Sequence, residues 1–380
     1  MIVVHVEDYF DPTAGYQINE LLFAGKDYGD EVYLITSNDM SPFHKDHSIE
    51  ADKEFEIKTG VKIIRLEVYF KISSRIILKG LLETINKLNP QLVYMHGIGD
   101  FKDIILLRPK RKYIIVRDCH MSWIASQNKF RKIYYTFFRK IFAPIINKTD
   151  KYNKIFALGD EEYQYLTNLG ISSRKIDYLR HGYNESIMYY DESARIKLRR
   201  EYGFEETDIV ISYIGKFNNS KRPDIVFDIV DNIDEEFVDK KNIRLLFIGP
   251  KENKYMEDIF IFKLNKMKEQ IEVTIDSSKP FSELRKYYSA SDICIFPKET
   301  SLSSIHAQVC GCPVIMEKHQ SNLERIINSE NLFEVDKLNQ ASEILQRVIK
   351  RKEYLKCNNN TTLFKDREYK NQVVKLKKIL

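Results

Sequence analysis

Residues 292–315 read DICIFPKETSLSSIHAQVCGCPVI. The apolar run Ile293 to Phe296 has the length and composition of a buried strand, and Pro297 ends it. A carboxylate, Glu299, follows at the strand's carboxyl end. Small hydroxyl residues, a helical run and a second apolar strand after Gly311-Cys312-Pro313 complete the stretch. A strand–loop–helix–strand unit of this kind belongs to a parallel α/β sheet. In open sheets of that class, ligands bind beyond the carboxyl ends of the strands. Free N–H groups at the helix start suit a phosphate, and Ser301, Ser303 and Ser304 add donors with little bulk.

The pattern repeats along the chain in two series. The first has expected strands near 1–6, 31–36, 62–67, 91–95, 112–117 and 154–158, with helices near 15–27, 73–88, 100–107, 126–147 and 160–169. The second has strands near 208–215, 243–248, 271–275, 292–296, 313–315 and 331–333, with helices near 222–233, 254–267, 281–289, 303–310, 320–328 and 337–351. Two such series predict two doubly wound domains, residues 1–185 and 186–363. The break falls in the polar segment HGYNESIMYYDES, before a helix over 194–202. The tail 364–380 ends in a basic helical pattern.

The chain has 380 residues, 60 basic and 55 acidic, for a formal net charge of +5. Hydrophobic content of 43% supports two cores. So mild a charge does not argue for nucleic acid. Five cysteines form no Cys-x-x-Cys pair, and Cys294 and Cys310 lie in apolar runs, so a reducing cytosol is expected. His5, Glu7 and Asp8 interrupt the opening MIVVHVEDYF, which reads as a strand rather than a signal peptide. No apolar run reaches the ~18 residues that a spanning helix needs.

A second informative stretch is ISYIGKFNNSKRPDIVFDIV, residues 211–230. A buried strand ends at Gly215, Lys216 follows, and Lys221 and Arg222 stand at the mouth of the next helix. Cations there can grip a diphosphate and stabilise charge as it develops. By itself this loop reads more readily as two solvated lysines. Together with residues 292–315 it resembles the donor site of family-4 retaining glycosyltransferases, which have the GT-B fold. Glu299, Gly311, Pro313, Val314 and Ile315 match that family's motif. The family's second Glu, which holds the nucleotide ribose, is replaced by His306, one residue short of the usual spacing.

The resemblance implies two Rossmann-like domains facing each other across a cleft, the first for the acceptor and the second for a nucleotide-sugar. Residues 364–380 would then cross back to the first domain. Lys216 and Lys221 are implied to meet the leaving diphosphate, with Arg222 as the adjacent alternative. Glu299 would orient the donor sugar, with Ser301, Ser303, Ser304 and His306 around it. Gly215, and Gly249 in LLFIGP, would lie near the nucleotide, although Gly249 also reads as a turn glycine. Ser277 and Lys279 fall where the family recognises the base. Ala290, Asp292 and Glu324 fit the family as architecture.

In the first domain, HVEDYFDPTAGYQINELL resembles the family's opening strand and glycine loop, with Gly15 kept and Tyr16 in place of the second glycine. YIIVRDCHMSW places Asp118 and His120 past a strand end, where the family has a histidine that contacts the donor sugar. His120 alone or the Asp118–His120 pair would serve, or the histidine makes only a local hydrogen bond. His96 is a lesser candidate, and His181 reads as structural. In residues 128–148, Phe130, Tyr134, Phe137, Phe138 and Ile141 recur at helical spacing beside Arg131, Lys132, Arg139 and Lys140. This is either an ordinary domain helix with basic ends or a surface for an anionic membrane.

The expected activity is transfer of a sugar from a UDP-linked donor to a glycan or lipid-linked acceptor, with retention, in surface polysaccharide assembly. A cytoplasmic enzyme at the inner membrane face is implied. The chain contains no Asp-x-Asp pair, so no metal and no other cofactor is expected. The rival is a non-catalytic GT-B protein that binds a glycan, glycoprotein or partner transferase; the missing second Glu motivates it. A nucleotide-sugar epimerase on the same fold is a third class, for which no acid/base set stands out.

Overall fold

A computed structural model describes residues 1–39, 48–72, 74–103, 111–120, 131–149, 152–234, 242–298, 302–355 and 360–379. The chain divides into two compact units. Met1–His181 with Arg367–Leu380 forms the first, and Gly182–Asp366 the second.

The first unit holds β1 (Ile2–Val6), β2 (Glu31–Ser37), β3 (Lys62–Leu66), β4 (Val68–Ile72), β5 (Arg75–Leu78), β6 (Leu92–Met95), β7 (Ile114–Cys119), β8 (Tyr152–Ala157) and β9 (Ile176–Tyr178). Among the described residues, seven of these form a parallel sheet in the order β3-β2-β1-β6-β7-β8-β9. The central β6, Leu-Val-Tyr-Met, is buried along its whole length, as a strand covered on both faces must be. The edge strand β3 is only partly covered and carries Lys62 and Arg65.

Strands β4 and β5 form an antiparallel hairpin where the pattern suggested a helix from residue 73. The helix begins only at Leu81. VYFKI and RIIL are rich in β-branched and aromatic residues, and RIIL alternates in burial, which outweighs the helical reading. The short strand β9 was also not foreseen. The helix at residues 131–148 is present, with Phe138 buried and Tyr134 half-buried, so its aromatic run is divided between the core face and solvent. Helix Tyr369–Lys377 packs Tyr369, Val373 and Leu376 against Val3, Leu21 and Tyr94 of the same unit. Each such side chain is worth about 1.5–3 kcal/mol on full burial. Lys375 on Asp177 (2.9 Å) and Gln372 on the Arg180 carbonyl (2.7 Å) fix the helix in register.

The second unit holds β10 (Ile209–Ile214), β11 (Ile243–Ile248), β12 (Glu272–Asp276), β13 (Ile293–Phe296), β14 (Val314–Glu317) and β15 (Leu332–Phe333). All pairings are parallel, in the order β12-β11-β10-β13-β14-β15. Both sheets are doubly wound, so each has one place where strand order reverses: β1 beside β6, and β10 beside β13. Crevices at the carboxyl ends open at such points. Asp292 leads into β13 as a structural residue. Its carboxylate accepts from Val210 N–H (2.8 Å), Arg199 (3.0 Å) and Arg195 (2.6 Å), joining helix Glu192–Glu201 to the sheet.

Candidate functional site

In the second unit, the loop after β10 lies at the switch point. Gly215 N–H donates to Ile248 O (2.9 Å) and Phe217 N–H to Pro250 O (2.9 Å), which ties the loop to the end of β11. The Tyr213 hydroxyl donates to the Lys216 carbonyl (2.7 Å). Lys216 is exposed on this fixed backbone, and its ammonium has no ion-pair partner among the described residues. Lys221 is half-buried, and its N–H donates to the Asn218 carbonyl and side chain. The turn therefore sets both lysines on one short anchored segment.

Other expected donor contacts have different occupations. Arg222 adopts a left-handed backbone (φ 46°), and its guanidinium forks onto Asp224 at 2.7 and 2.8 Å. Asp224 is fully buried and also accepts from Tyr255 (2.6 Å) and Lys263 (2.8 Å). Burial works against its charge, yet these bonds bring the carboxyl down to about 2. Arg222 is thus an internal strut rather than a free phosphate ligand. Gly249 has φ +149°, and a β-carbon there would fall 1.8 Å from the Gly215 carbonyl oxygen. Close strand-end packing requires this glycine whether or not a nucleotide lies nearby.

Ser303 opens helix Ser303–Val309 and is partly exposed, whereas Ser304 is fully buried. His306 is 3% exposed, with its ring against Phe281 and a hydrogen bond to the Gly182 backbone. Burial pushes its imidazole down to about 4, so it is neutral. Where the family has a carboxylate, this chain therefore holds a buried, neutral ring. Glu299 and Ser301 lie outside the described residues. Ser277 and Lys279 gather on Asp276, through Ser277 N–H at 2.6 Å and Lys279 Nζ at 2.8 Å. Glu324 follows the short helix Gln320–Leu323.

Sequence reasoning missed Glu317 at the carboxyl end of β14. This fully buried carboxylate takes Lys298 (2.8 Å), His319 (2.5 Å) and the Asp336 N–H (3.0 Å). The cluster pins Lys298, the residue immediately before Glu299. Its signal was a carboxylate closing an apolar strand in VIMEKH.

The switch point of the first unit is richer than expected. His120 Nε2 lies 3.0 Å from Asp118 Oδ1, and His96 Nδ1 lies 2.6 Å from Oδ2. Gly97 N–H donates to Oδ1 (2.7 Å). His96 Nε2 in turn meets His5 Nδ1 at 3.0 Å. Tyr94 stacks on His96, with centroids 4.3 Å apart. His5 was unsuspected, although a histidine inside a buried strand was a visible anomaly. Burial works against the Asp118 charge, but His120 and His96 hold its carboxyl well below the usual range. Desolvation likewise opposes charge on His120, and Asp118 overrides it and lifts the imidazole to about 9. His181 is the last residue of this unit before residue 182. Gly15 and Tyr16 precede helix Gln17–Asp27, with Tyr16 exposed at its N-terminal boundary.

His96, Asp118 and His120 also have the donor atoms of a metal site, all within 4.8 Å of one another. Ligands about 2.0–2.1 Å from a tetrahedral zinc stand about 3.3 Å apart. The 2.6 Å between His96 Nδ1 and Asp118 Oδ2 is instead a hydrogen bond. Next to this chain, Lys102 bridges Asp8 (2.6 Å) and Asp100 (3.0 Å), and Arg117 joins Asp100 (2.9 Å) to Asp103. Burial raises Asp8 and Asp103 to about 6 against the pull of these cations.

Residues 194–363 match the family model described as "Glycosyl transferases group 1". Among curated proteins, the chain is 27% identical over 124 residues to a D-inositol 3-phosphate glycosyltransferase of Segniliparus rotundus. That match covers 32% of this chain and 27% of the relative, well under two thirds of the relative's length. Among solved structures, Anabaena HepE in complex with UDP aligns over 100% of this chain and 99% of its own, at 11% identity and TM-score 0.71. Sucrose-phosphate synthase of Thermosynechococcus elongatus aligns over 100% and 98%, at 15% identity and TM-score 0.68. The fold is that of the GT-B glycosyltransferases.

Proposed function

We propose that this chain is a retaining glycosyltransferase that moves a hexose from a UDP-linked donor to a glycan or lipid-linked acceptor in surface polysaccharide assembly. The observation that carries the reading is the anchored Gly215–Arg222 loop, which sets Lys216 and Lys221 at the switch point of the unit that matches glycosyl transferases group 1. The matched relatives include a UDP complex, which favours UDP as the nucleotide.

In this reading, the bond between the anomeric carbon and the diphosphate lengthens first. Lys216 and Lys221 neutralise the charge that collects on the departing UDP. The acceptor hydroxyl forms the new bond on the same face and passes its proton to the departing phosphate oxygen. Glu299 keeps the role the resemblance implies, as acceptor for donor-sugar hydroxyls. The lysines meet the diphosphate charge without a metal ion.

The first unit would hold the acceptor. Among the described residues, no helix is long and apolar enough to cross a membrane. We place the reaction in the cytoplasm, with helix Arg131–Lys148 resting on an anionic membrane through Ile133, Phe137 and Ile141.

The enclosed, neutral His306 supports a second reading, a non-catalytic GT-B protein that has lost its ribose contact. Calorimetric titration with UDP and a panel of UDP-sugars, followed by a hydrolysis assay, separates the two. The enzyme reading expects binding with slow release of UDP from one donor. Absence of nucleotide affinity favours the second.

A further inference from the structure

The hydrogen-bonded series His5–His96–Asp118–His120 crosses the carboxyl ends of β1, β6 and β7, three adjacent strands. His5, His96 and Asp118 are 4%, 1% and 1% exposed, whereas the His120 side chain is 40% exposed. The series therefore has one wet end and one dry end. Tyr94 stacks on His96, with centroids 4.3 Å apart, and lies tilted against His5 at 5.1 Å, so both rings are packed on the same aromatic side chain.

With one proton on each of His5 and His96 and none on Asp118, a single arrangement makes every bond. Asp118 accepts from Gly97 N–H, from His120 Nε2–H and from His96 Nδ1–H. With its one proton on Nδ1, His96 offers Nε2 as an acceptor, and His5 Nδ1–H fills it. Burial keeps His5 neutral, consistent with this role. A carboxylate so surrounded remains ionised, with His120 as its counter-charge. Among the described residues, Glu7, just past β1, and Glu162, on helix Asp160–Asn168, also favour charge on His120.

We propose that His5, His96 and Asp118 form a positioning relay in which Asp118 orients His120 and holds it as a doubly protonated donor, while His5 and His96 fix Asp118 and temper its charge, so that the second N–H of His120 is directed at an oxyanion or hydroxyl of a substrate at this switch point. The substrate assignment rests on the glycosyltransferase reading; the relay itself does not. The two histidines compete for the charge of Asp118. By donating to His96 Nε2, His5 makes the Nδ1–H a better donor to Asp118. Asp118 then has less negative charge to spend on His120. Shortening the relay therefore strengthens the Asp118–His120 pair, while removing Asp118 abolishes it.

The test is histidine-labelled NMR on the full chain, which has eight histidines. In the unmodified protein, His96 should carry its proton on Nδ1 alone, and His120 should be doubly protonated at neutral pH. Asp118→Asn should lower the His120 midpoint by more than one pH unit. His5→Phe, which keeps the aromatic stack, should raise it, and His96→Leu should raise it further. A change in transfer rate should follow the same order along its alkaline limb. A residue that served only to fill the core would not give opposite signs at positions 118 and 5. The opposite His96 tautomer, an unmoved His120 in folded His5→Phe, or stoichiometric zinc binding that shifts His96 and His120 together would overturn the relay. If no nucleotide-sugar is turned over, the functional reading fails while the titrations still decide the relay.

Discussion

The carbonyl oxygen of Gly215 occupies the space, 1.8 Å away, in which a β-carbon on Gly249 would stand. Two strand ends of the second unit thus meet backbone to backbone, and the Lys216 loop is fixed by that contact. Gly249→Ala adds both the clash and a strained φ of +149°. The expected cost exceeds about 3 kcal/mol. Gly215→Ala should cost less, since its β-carbon would meet a side chain, the Tyr213 hydroxyl at 2.8 Å, rather than backbone at 1.8 Å. Urea unfolding of both variants checks the order.

Asp292 is the counter-charge of buried Arg199, and it also holds Val210 N–H. Removing it leaves a buried guanidinium uncompensated, so Asp292→Ala should lose about 3–5 kcal/mol. Asp292→Asn retains an acceptor and should lose less. Equal melting of the two variants would show that the charge is unimportant.

His306 makes stability depend on pH in a definite direction. Its imidazole titrates at about 4 when folded, against 6.5 for the ordinary group. Above pH 6.5 neither state takes up the proton. Between 6.5 and about 4 the unfolded chain takes it and the folded chain does not, so stability falls on acidification. The full difference is roughly 3 kcal/mol. His306→Gln should flatten this part of the profile, and comparing chemical melts of both proteins at pH 7 and pH 4.5 isolates the effect from other titrating groups.

The helix Arg131–Lys148 presents Ile133, Phe137 and Ile141 to solvent, at 71%, 48% and 41% exposure. They recur every fourth position, with exposed Lys132 and Lys140 beside them. If this ridge enters a membrane, vesicles rich in phosphatidylglycerol should pellet the protein. A Phe137→Ser, Ile141→Ser double variant should bind about tenfold or more weakly. Equal pelleting of both proteins would remove the membrane from the account.

Much of the architecture was legible because buried parallel strands are nearly continuous apolar runs. Ile293–Phe296 and Ile209–Ile214 stand out for that reason. The β4–β5 hairpin was not, since short runs rich in Ile fit a helix or a strand until their neighbours are known. Asp118 and His120 could be suspected from their place after a strand. His5 and His96 could not be joined to them, because the contact lies across three strands far apart in the chain. The occupation of Arg222 by Asp224 was hidden for a different reason. A loop arginine looks the same in sequence whether it awaits a phosphate or already holds a carboxylate.

The most direct measurement is sugar transfer or UDP release by wild type, Lys216→Ala and Lys221→Ala, read beside UDP affinity. The account predicts that wild type binds UDP and turns over one UDP-sugar, and that each substitution lowers kcat by about 10²–10³ with the fold intact. Turnover unchanged in both variants, or a wild-type protein with no affinity for UDP, would contradict it.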